Sequence, residues 1–257
     1  MTSRKPPAQP SNNLPYELVE MIIDHLIYDI PTLKACSLLG HCWYIAAAPH
    51  IHRTFVIRGG KRCNLKTIPK RRERGLLHLT QEIQIRQYPG GPNWFRLEFF
   101  RRLDARHFFA FDNIQSLSVQ CLDISGFLPR PHHYFHRLSP TLRSLTLDTP
   151  LCTPRELYMF ISLFPNLDDI EIRSYTRPEY GYPDRALVPY HIPKFQGQLT
   201  LRSFYMAEVW QYLAAPCGLR FRSIHFHPVP SYAPFLFAVC AETLETLRIE
   251  PYDEFGR

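Results

Sequence analysis

Glycine is scarce in this chain, 11 of 257 residues, and long apolar runs are absent: the longest, Phe235 to Ala241, is seven residues. A membrane span needs about 18 or more, so none is expected. The opening MTSRKPPAQP has no apolar core of the kind a secretory signal requires. Seven cysteines stand at 36, 42, 63, 121, 152, 217 and 240 with no CxxC pair, so reduced, packed thiols are expected rather than a disulfide framework or a zinc ribbon. GxSxG and GxGxxG are both missing, which leaves no nucleophile elbow and no dinucleotide fingerprint to nominate. Gly59-Gly60-Lys61 lacks the earlier glycine and the following Ser or Thr of a phosphate loop. These absences argue for a soluble protein of the cytoplasm and/or nucleus that is not an enzyme and holds no cofactor and no metal.

What the chain does have is proline, 24 residues, and 14% aromatics within a 45% hydrophobic composition. That is enough apolar surface for a core built from many short, punctuated elements. The formal charge of +7 is accounted for by Arg58 to Arg74, with eight basic residues and one acid. Such a segment reads first as a solvated linker; nuclear import and phosphate contact are lesser readings, because the aromatic interleaving of single-strand binders is missing. His132, His133 and His136 in HHYFH approach a zinc spacing, but Pro129 and Pro131 oppose the helix it needs.

Residues 1–12 are polar and proline-rich and read as a flexible tail. Leu14, Leu18, Ile22 and Leu26 then recur every four residues, with Val19, Ile23 and Ile27 beside them and Glu17, Glu20 and Asp24 opposite, the pattern of an amphipathic helix. Asp29 and Pro31 stop it and start a second helix, about Pro31 to Leu39, and a third runs from His41 to Ala48 before Pro49. A unit this small seldom buries enough surface to stand alone.

The order Leu14-Pro15, Glu17-Leu18, Ile22, Leu26, Leu33, Trp43 and Tyr44 resembles an F-box. His41 and Cys42 stand where that family usually carries basic residues. The resemblance implies docking on a Skp-type adaptor and, through it, on a cullin-RING ubiquitin ligase, with Leu14, Pro15, Leu18, Ile22, Leu26, Leu33 and Trp43 as the adaptor-binding residues. Burial of the four stripe aliphatics would contribute at most about 6 to 12 kcal/mol. Association costs about 4 to 15 kcal/mol, so Pro15 and Trp43 are expected to contribute too.

Beyond the basic segment an eight-residue phrase recurs, apolar at positions one, four and six: Ile114-Leu117-Val119, Leu142-Leu145-Leu147, Leu167-Ile170-Ile172, Leu201-Phe204-Met206, Phe221-Ile224-Phe226 and Leu244-Leu247-Ile249. A partial copy stands at Thr80-Ile83-Ile85. The copies begin 20 to 34 residues apart with a mean of 26, in the range of leucine-rich repeats. Positions four and six alternate as a strand requires, and Thr153 to Phe164 reads as a returning helix closed by Pro165. The phrases TLRSLTL and FPNLDDIEI resemble the degenerate leucine-rich regions that follow the F-box in many fungal F-box proteins. Position nine, usually Asn or Cys in that family, is Leu122, Pro150, Tyr175, Val209, Val229 and Tyr252, so an irregular solenoid is expected, with a loop excursion over Tyr175 to Tyr190.

The expected fold is α/β: tail 1–12, a three-helix F-box at 13–58, a basic linker at 59–78 and a leucine-rich-repeat-like solenoid at 79–257. The expected function is substrate recognition in a Skp-cullin-F-box ubiquitin ligase, the repeat region holding an unidentified protein. Ser144, Thr146, Asp169, Glu171, Ser203, Tyr205, Ser223 and His225 are the substrate-facing candidates, within a wider set that includes Ser116, Ser118, Thr246 and Arg248. The alternatives are a nucleic-acid-associated protein using the basic segment and a leucine-rich scaffold outside any ligase.

Overall fold

The computed structural model describes residues 14–58, 65, 67–86, 111–120, 135, 138–151, 154–176, 195–202, 219–227, 229, 231 and 233–250. It divides into two compact units, Met1–Arg53 and Thr54–Arg257. The tail, Gly59 to Lys61, the HHYFH histidines, residues 177–194, Ser203, Phe204, Tyr205 and Met206 lie outside the described residues.

In the first unit α1 (Tyr16–His25), α2 (Ile30–Cys36) and α3 (His41–His52) follow one another. Pro15 caps α1 from outside: its carbonyl accepts from the Leu18 and Val19 amides at 3.1 and 3.2 Å. Asp29 caps α2, accepting from the Thr32 amide at 3.1 Å and from Thr32 Oγ1 at 2.6 Å. These contacts satisfy donors that a first turn leaves open. Contrary to the sequence expectation, α3 does not stop at Pro49 but runs three residues further. Near a C-terminus the ring costs one backbone bond, and Ala46, Ala47 and Ala48, all buried, keep the helix packed before it.

The second unit is mixed α/β around an eight-stranded, all-parallel sheet whose strands lie in chain order. They are β1 (Thr54–Arg58), β2 (Glu82–Arg86), β3 (Ser116–Gln120), β4 (Ser144–Leu151), β5 (Asp169–Thr176), β6 (Gln198–Leu201), β7 (Ser223–Phe226) and β8 (Thr246–Ile249). Among the described residues three α-helices accompany them: α4 (Thr67–Glu73), α5 (Pro154–Ile161) and α6 (Ala233–Cys240).

Strand alternation sends one set of side chains to the core. Ile83 and Ile85, Leu117 and Val119, Leu145 and Leu147, Ile170 and Ile172, and Ile224 and Phe226 are all buried, as are the position-one residues Thr80, Ile114, Leu142, Leu167 and Phe221. From α5, Leu157, Phe160 and Ile161 close over them. Phe160, Phe164 and Phe135 meet edge to face with centroids 5.4 to 6.0 Å apart, the favoured arrangement of aromatic quadrupoles.

Three sequence expectations are corrected here. First, β1 belongs to the sheet, not to the helical module: it pairs with β2 from Thr54↔Glu82 to Arg58↔Arg86 and buries Phe55 and Ile57. Second, the basic segment is not simply a solvated linker. Leu65, Ile68 and Leu77 are buried in the sheet unit's core, and the Arg71 guanidinium lies 4.9 Å above the Phe55 ring, a cation–π contact.

Third, Leu201 is position six of its repeat and not position one. Leu199 and Leu201 pair with Ile170 and Ile172 on one side and with Ile224 and Phe226 on the other. With that register the strands begin 28, 34, 28, 25, 29, 25 and 23 residues apart, and the irregular spacing around Leu201 disappears. Phe195 fills the core ahead of β6, stacked on Phe221 at 4.9 Å.

The turn before each strand also repeats. The amides of Arg143, Asp168, Gly197, Arg222 and Glu245 each donate to the carbonyl of the equivalent residue one repeat earlier, at 2.8 to 3.2 Å. Only Gly197 lacks a side chain at this position, and a Cβ there would run into the Asp169 carboxylate.

Candidate functional site

The helical unit keeps a small core of Val19, Ile23, Leu33, Ala46 and Ala47, with Leu26, Ile30, Cys36, Trp43 and Ile51 packed partly against it. Helix α1 therefore uses its Val19-Ile23 stripe internally. The adjacent stripe stays in solvent: Leu18 is 44% and Ile22 39% exposed, with Leu14 and Met21 beside them and Leu38, Leu39, Tyr44 and Ile45 also exposed on the same unit. Of the expected docking residues, Leu14, Pro15, Leu18 and Ile22 are exposed and Leu26 and Trp43 are half-buried. Leu33 is corrected: at 0% exposure it is a core residue of its own unit and offers no surface to a partner. Its position on α2 points it at the α1 and α3 side chains of that core.

In the sheet unit, the side chains that alternate with the core form rows across the strands that are polar except at Val56. One row runs Thr54, Glu82, Ser116, Ser144, Asp169, Gln198, Ser223 and Thr246; the next runs Val56, Gln84, Ser118, Thr146, Glu171, Thr200, His225 and Arg248. The described candidates Ser144, Thr146, Asp169, Glu171, Ser223 and His225 all fall in these two rows. Gln198 and Thr200 hold the β6 positions for which Ser203 and Tyr205 were expected.

Much of this face is already paired with itself. Glu171 accepts from Arg173 Nε and Nη2 at 3.0 and 3.3 Å, lies 3.4 Å from Arg202 Nε and accepts from Thr146 Oγ1 at 3.5 Å. The hydrogen bond to Glu171 holds the Arg173 guanidinium above its usual pKa. Thr54 Oγ1 and Gln84 Nε2 donate to Glu82 at 2.9 and 2.7 Å, and Arg86 donates to Gln84 at 2.7 Å. Within the same row, Asp169 Oδ1 accepts from the Gln198 amide at 2.6 Å, tying the start of β6 to β5.

A cleft of about 430 Å³ lies over β2 to β5, lined by Glu82, Gln84, Arg86, Ser118, Gln120, Thr146, Asp148 and Arg173. Its two acids balance its two arginines, a lining suited to a polar protein surface rather than to a polyanion.

At the other end of the face, His225, His227 and Glu250 converge. His225 Nε2 and Glu250 Oε1 are 3.0 Å apart, and His227 Nε2 and Glu250 Oε2 are 2.7 Å apart. Burial pushes His227 below the usual imidazole range, with His225, Arg202 and Arg248 acting in the same direction and Glu250 opposing. This cluster was missed in the sequence, although a His-x-His on a predicted strand facing a Glu one repeat later was there to be read.

Among the described residues no helix is long and apolar enough to cross a membrane. Compared with known proteins, the chain matches no family model, no curated protein and no solved structure.

Proposed function

We propose that this protein is a substrate-recognition subunit of a Skp-cullin-F-box type ubiquitin ligase. The helical unit acts as the F-box, and the sheet unit, read as an irregular leucine-rich-like solenoid, holds a protein substrate. The observation that carries this reading is the exposed apolar row of the helical unit, Leu14, Leu18, Met21 and Ile22, left in solvent beside a core that uses the neighbouring stripe. Contiguous exposed apolar side chains on a small helical unit are typical of a surface that another protein covers. Parallel strands in chain order at 23 to 34 residue spacing support the repeat reading.

The protein does no bond chemistry in this role. It positions a bound substrate and raises the effective concentration of its lysines near the ubiquitin-loaded component of the ligase. The nucleic-acid reading is weakened by Arg71, which is drawn onto Phe55 and out of the set of free basic groups.

The test is co-purification with a Skp-type adaptor, wild type against Leu18→Asp/Ile22→Asp, with circular dichroism as the folding control. Capture by the wild type and loss in the folded variant is the expected outcome. A folded wild type that captures no adaptor sinks the ligase role and leaves the scaffold.

A further inference from the structure

We propose that His225, His227 and Glu250 form a zinc-binding site that clips strand β8 to strand β7. The inference is independent of the ligase reading and starts from sheet geometry. Ile224 and Phe226 are buried, so alternation puts His225 and His227 together on the opposite face of β7. The register pairs His225 with Arg248, and continuing it by two residues brings His227 opposite Glu250. The backbone holds this continuation: the Glu250 amide donates to the Phe226 carbonyl at 3.0 Å, and the His227 amide donates to the Leu201 carbonyl at 2.8 Å. Both histidines and the carboxylate are thus delivered by the ladder and not by a free loop.

The donor set suits zinc. Two imidazoles and one carboxylate present ligand atoms all within 4.8 Å of one another, and zinc takes His nitrogens and carboxylate oxygens at about 2.0 to 2.2 Å in a four-coordinate shell. Zinc held by these three side chains would take its fourth ligand from solvent or from a bound protein. Two nitrogen ligands select a borderline ion over calcium or magnesium, which take oxygen.

The cluster also contains a buried polar atom that a cation would satisfy. His227 Nε2 is buried and has no hydrogen-bond partner among the described residues: Glu250 Oε2 is close to it, but not in the direction a hydrogen bond requires. The competitor is Arg248, whose Nη2 lies 3.1 Å from Glu250 Oε1. Its side chain is 69% exposed and can leave for solvent.

The site has a purpose in the fold. All four residues of β8 are exposed, Leu247 and Ile249 among them at 45% and 51%, so this strand is held by its ladder to β7 and not by buried side chains. A metal bound across β7 and β8 adds its binding free energy to the folded state.

The test uses the full chain, stripped with a chelator and titrated with zinc against a chromophoric competitor. Expected are one zinc per chain, a rise of a few degrees in Tm, and affinity at least about tenfold weaker in His225→Ala, His227→Ala and Glu250→Ala. Cobalt substitution should give visible ligand-field bands without the near-ultraviolet thiolate band that binding to the cysteines would produce. Glu250→Gln keeps the shape of the site and covers the case in which an alanine variant misfolds; it too should bind more weakly. No zinc uptake by the wild type, uptake unchanged in folded His227→Ala and Glu250→Gln, or a thiolate band at one equivalent of cobalt would each overturn the proposal.

Discussion

The two units dispose of their apolar residues in opposite ways. In the sheet unit Leu145, Leu147, Ile170 and Phe164 are wholly enclosed and the outward rows are polar. In the helical unit Val19, Ile23 and Leu33 are enclosed, while Leu14, Leu18, Met21 and Ile22 remain in water. A leucine in one unit holds the fold and a leucine in the other is free to hold something else. The distinction is energetic, so the same substitution made in both places exposes it.

The largest effect is expected at the aromatic cluster. Phe164→Ala removes the ring that meets both Phe135 and Phe160 and should cost about 3 to 5 kcal/mol, and Leu145→Ala about 2 to 5 kcal/mol, read as a shift in denaturant midpoint. Leu18→Ala, the same chemistry on the exposed stripe, should stay within about 0.5 kcal/mol while weakening adaptor capture. If Leu18→Ala unfolds the protein as Leu145→Ala does, the contrast between the units fails and the docking surface with it.

Next comes Gly197. Its missing side chain leaves room for the Asp169 carboxylate, which caps the start of β6 through the Gln198 amide. Gly197→Ala should cost about 1 to 3 kcal/mol through overpacking. Adding Asp169→Ala should cost less than the two single changes together, because each removes the same arrangement. Fully additive values would show that the carboxylate is not what fills the space.

Much of the sheet was legible because a buried strand writes its register every second residue: Ile114-Leu117-Val119 and Leu142-Leu145-Leu147 are found as expected. The copy at Leu201 was misread because Leu201-Phe204-Met206 satisfies the same spacing as the true strand, whose core residue ahead of it, Phe195, stands one position early. Strand β1 was hidden by its adjacency to the helical motif, and α4 by its charge, since Ile68 is its only buried residue. In α1 the two apolar stripes are neighbours, and periodicity alone cannot say which faces inward; packing against Leu33 and Ala47 decides it. The His225-His227-Glu250 cluster needed a strand register linking residues 25 apart.

The smallest effect separates folding of the helical unit from the docking proposed for it. Asp29 holds the start of α2 by accepting from Thr32 twice, and these bonds keep its carboxyl below the usual carboxylate range. A carboxylate depressed in the folded state contributes stability at neutral pH, and that contribution is lost as the pH falls through and below the usual carboxylate range. Asp29→Ala should therefore lower Tm slightly at neutral pH and flatten the acid limb of the stability profile, whereas Asp29→Asn, which still caps, should keep most of the Tm and lose the pH dependence. The carboxylate is fully exposed, so the change is small. It should leave adaptor capture intact, because Leu18 and Ile22 sit on another helix; capture that falls with Asp29→Asn would place α2 in the docking surface and shift the boundary between the residues that fold this unit and those that serve its partner.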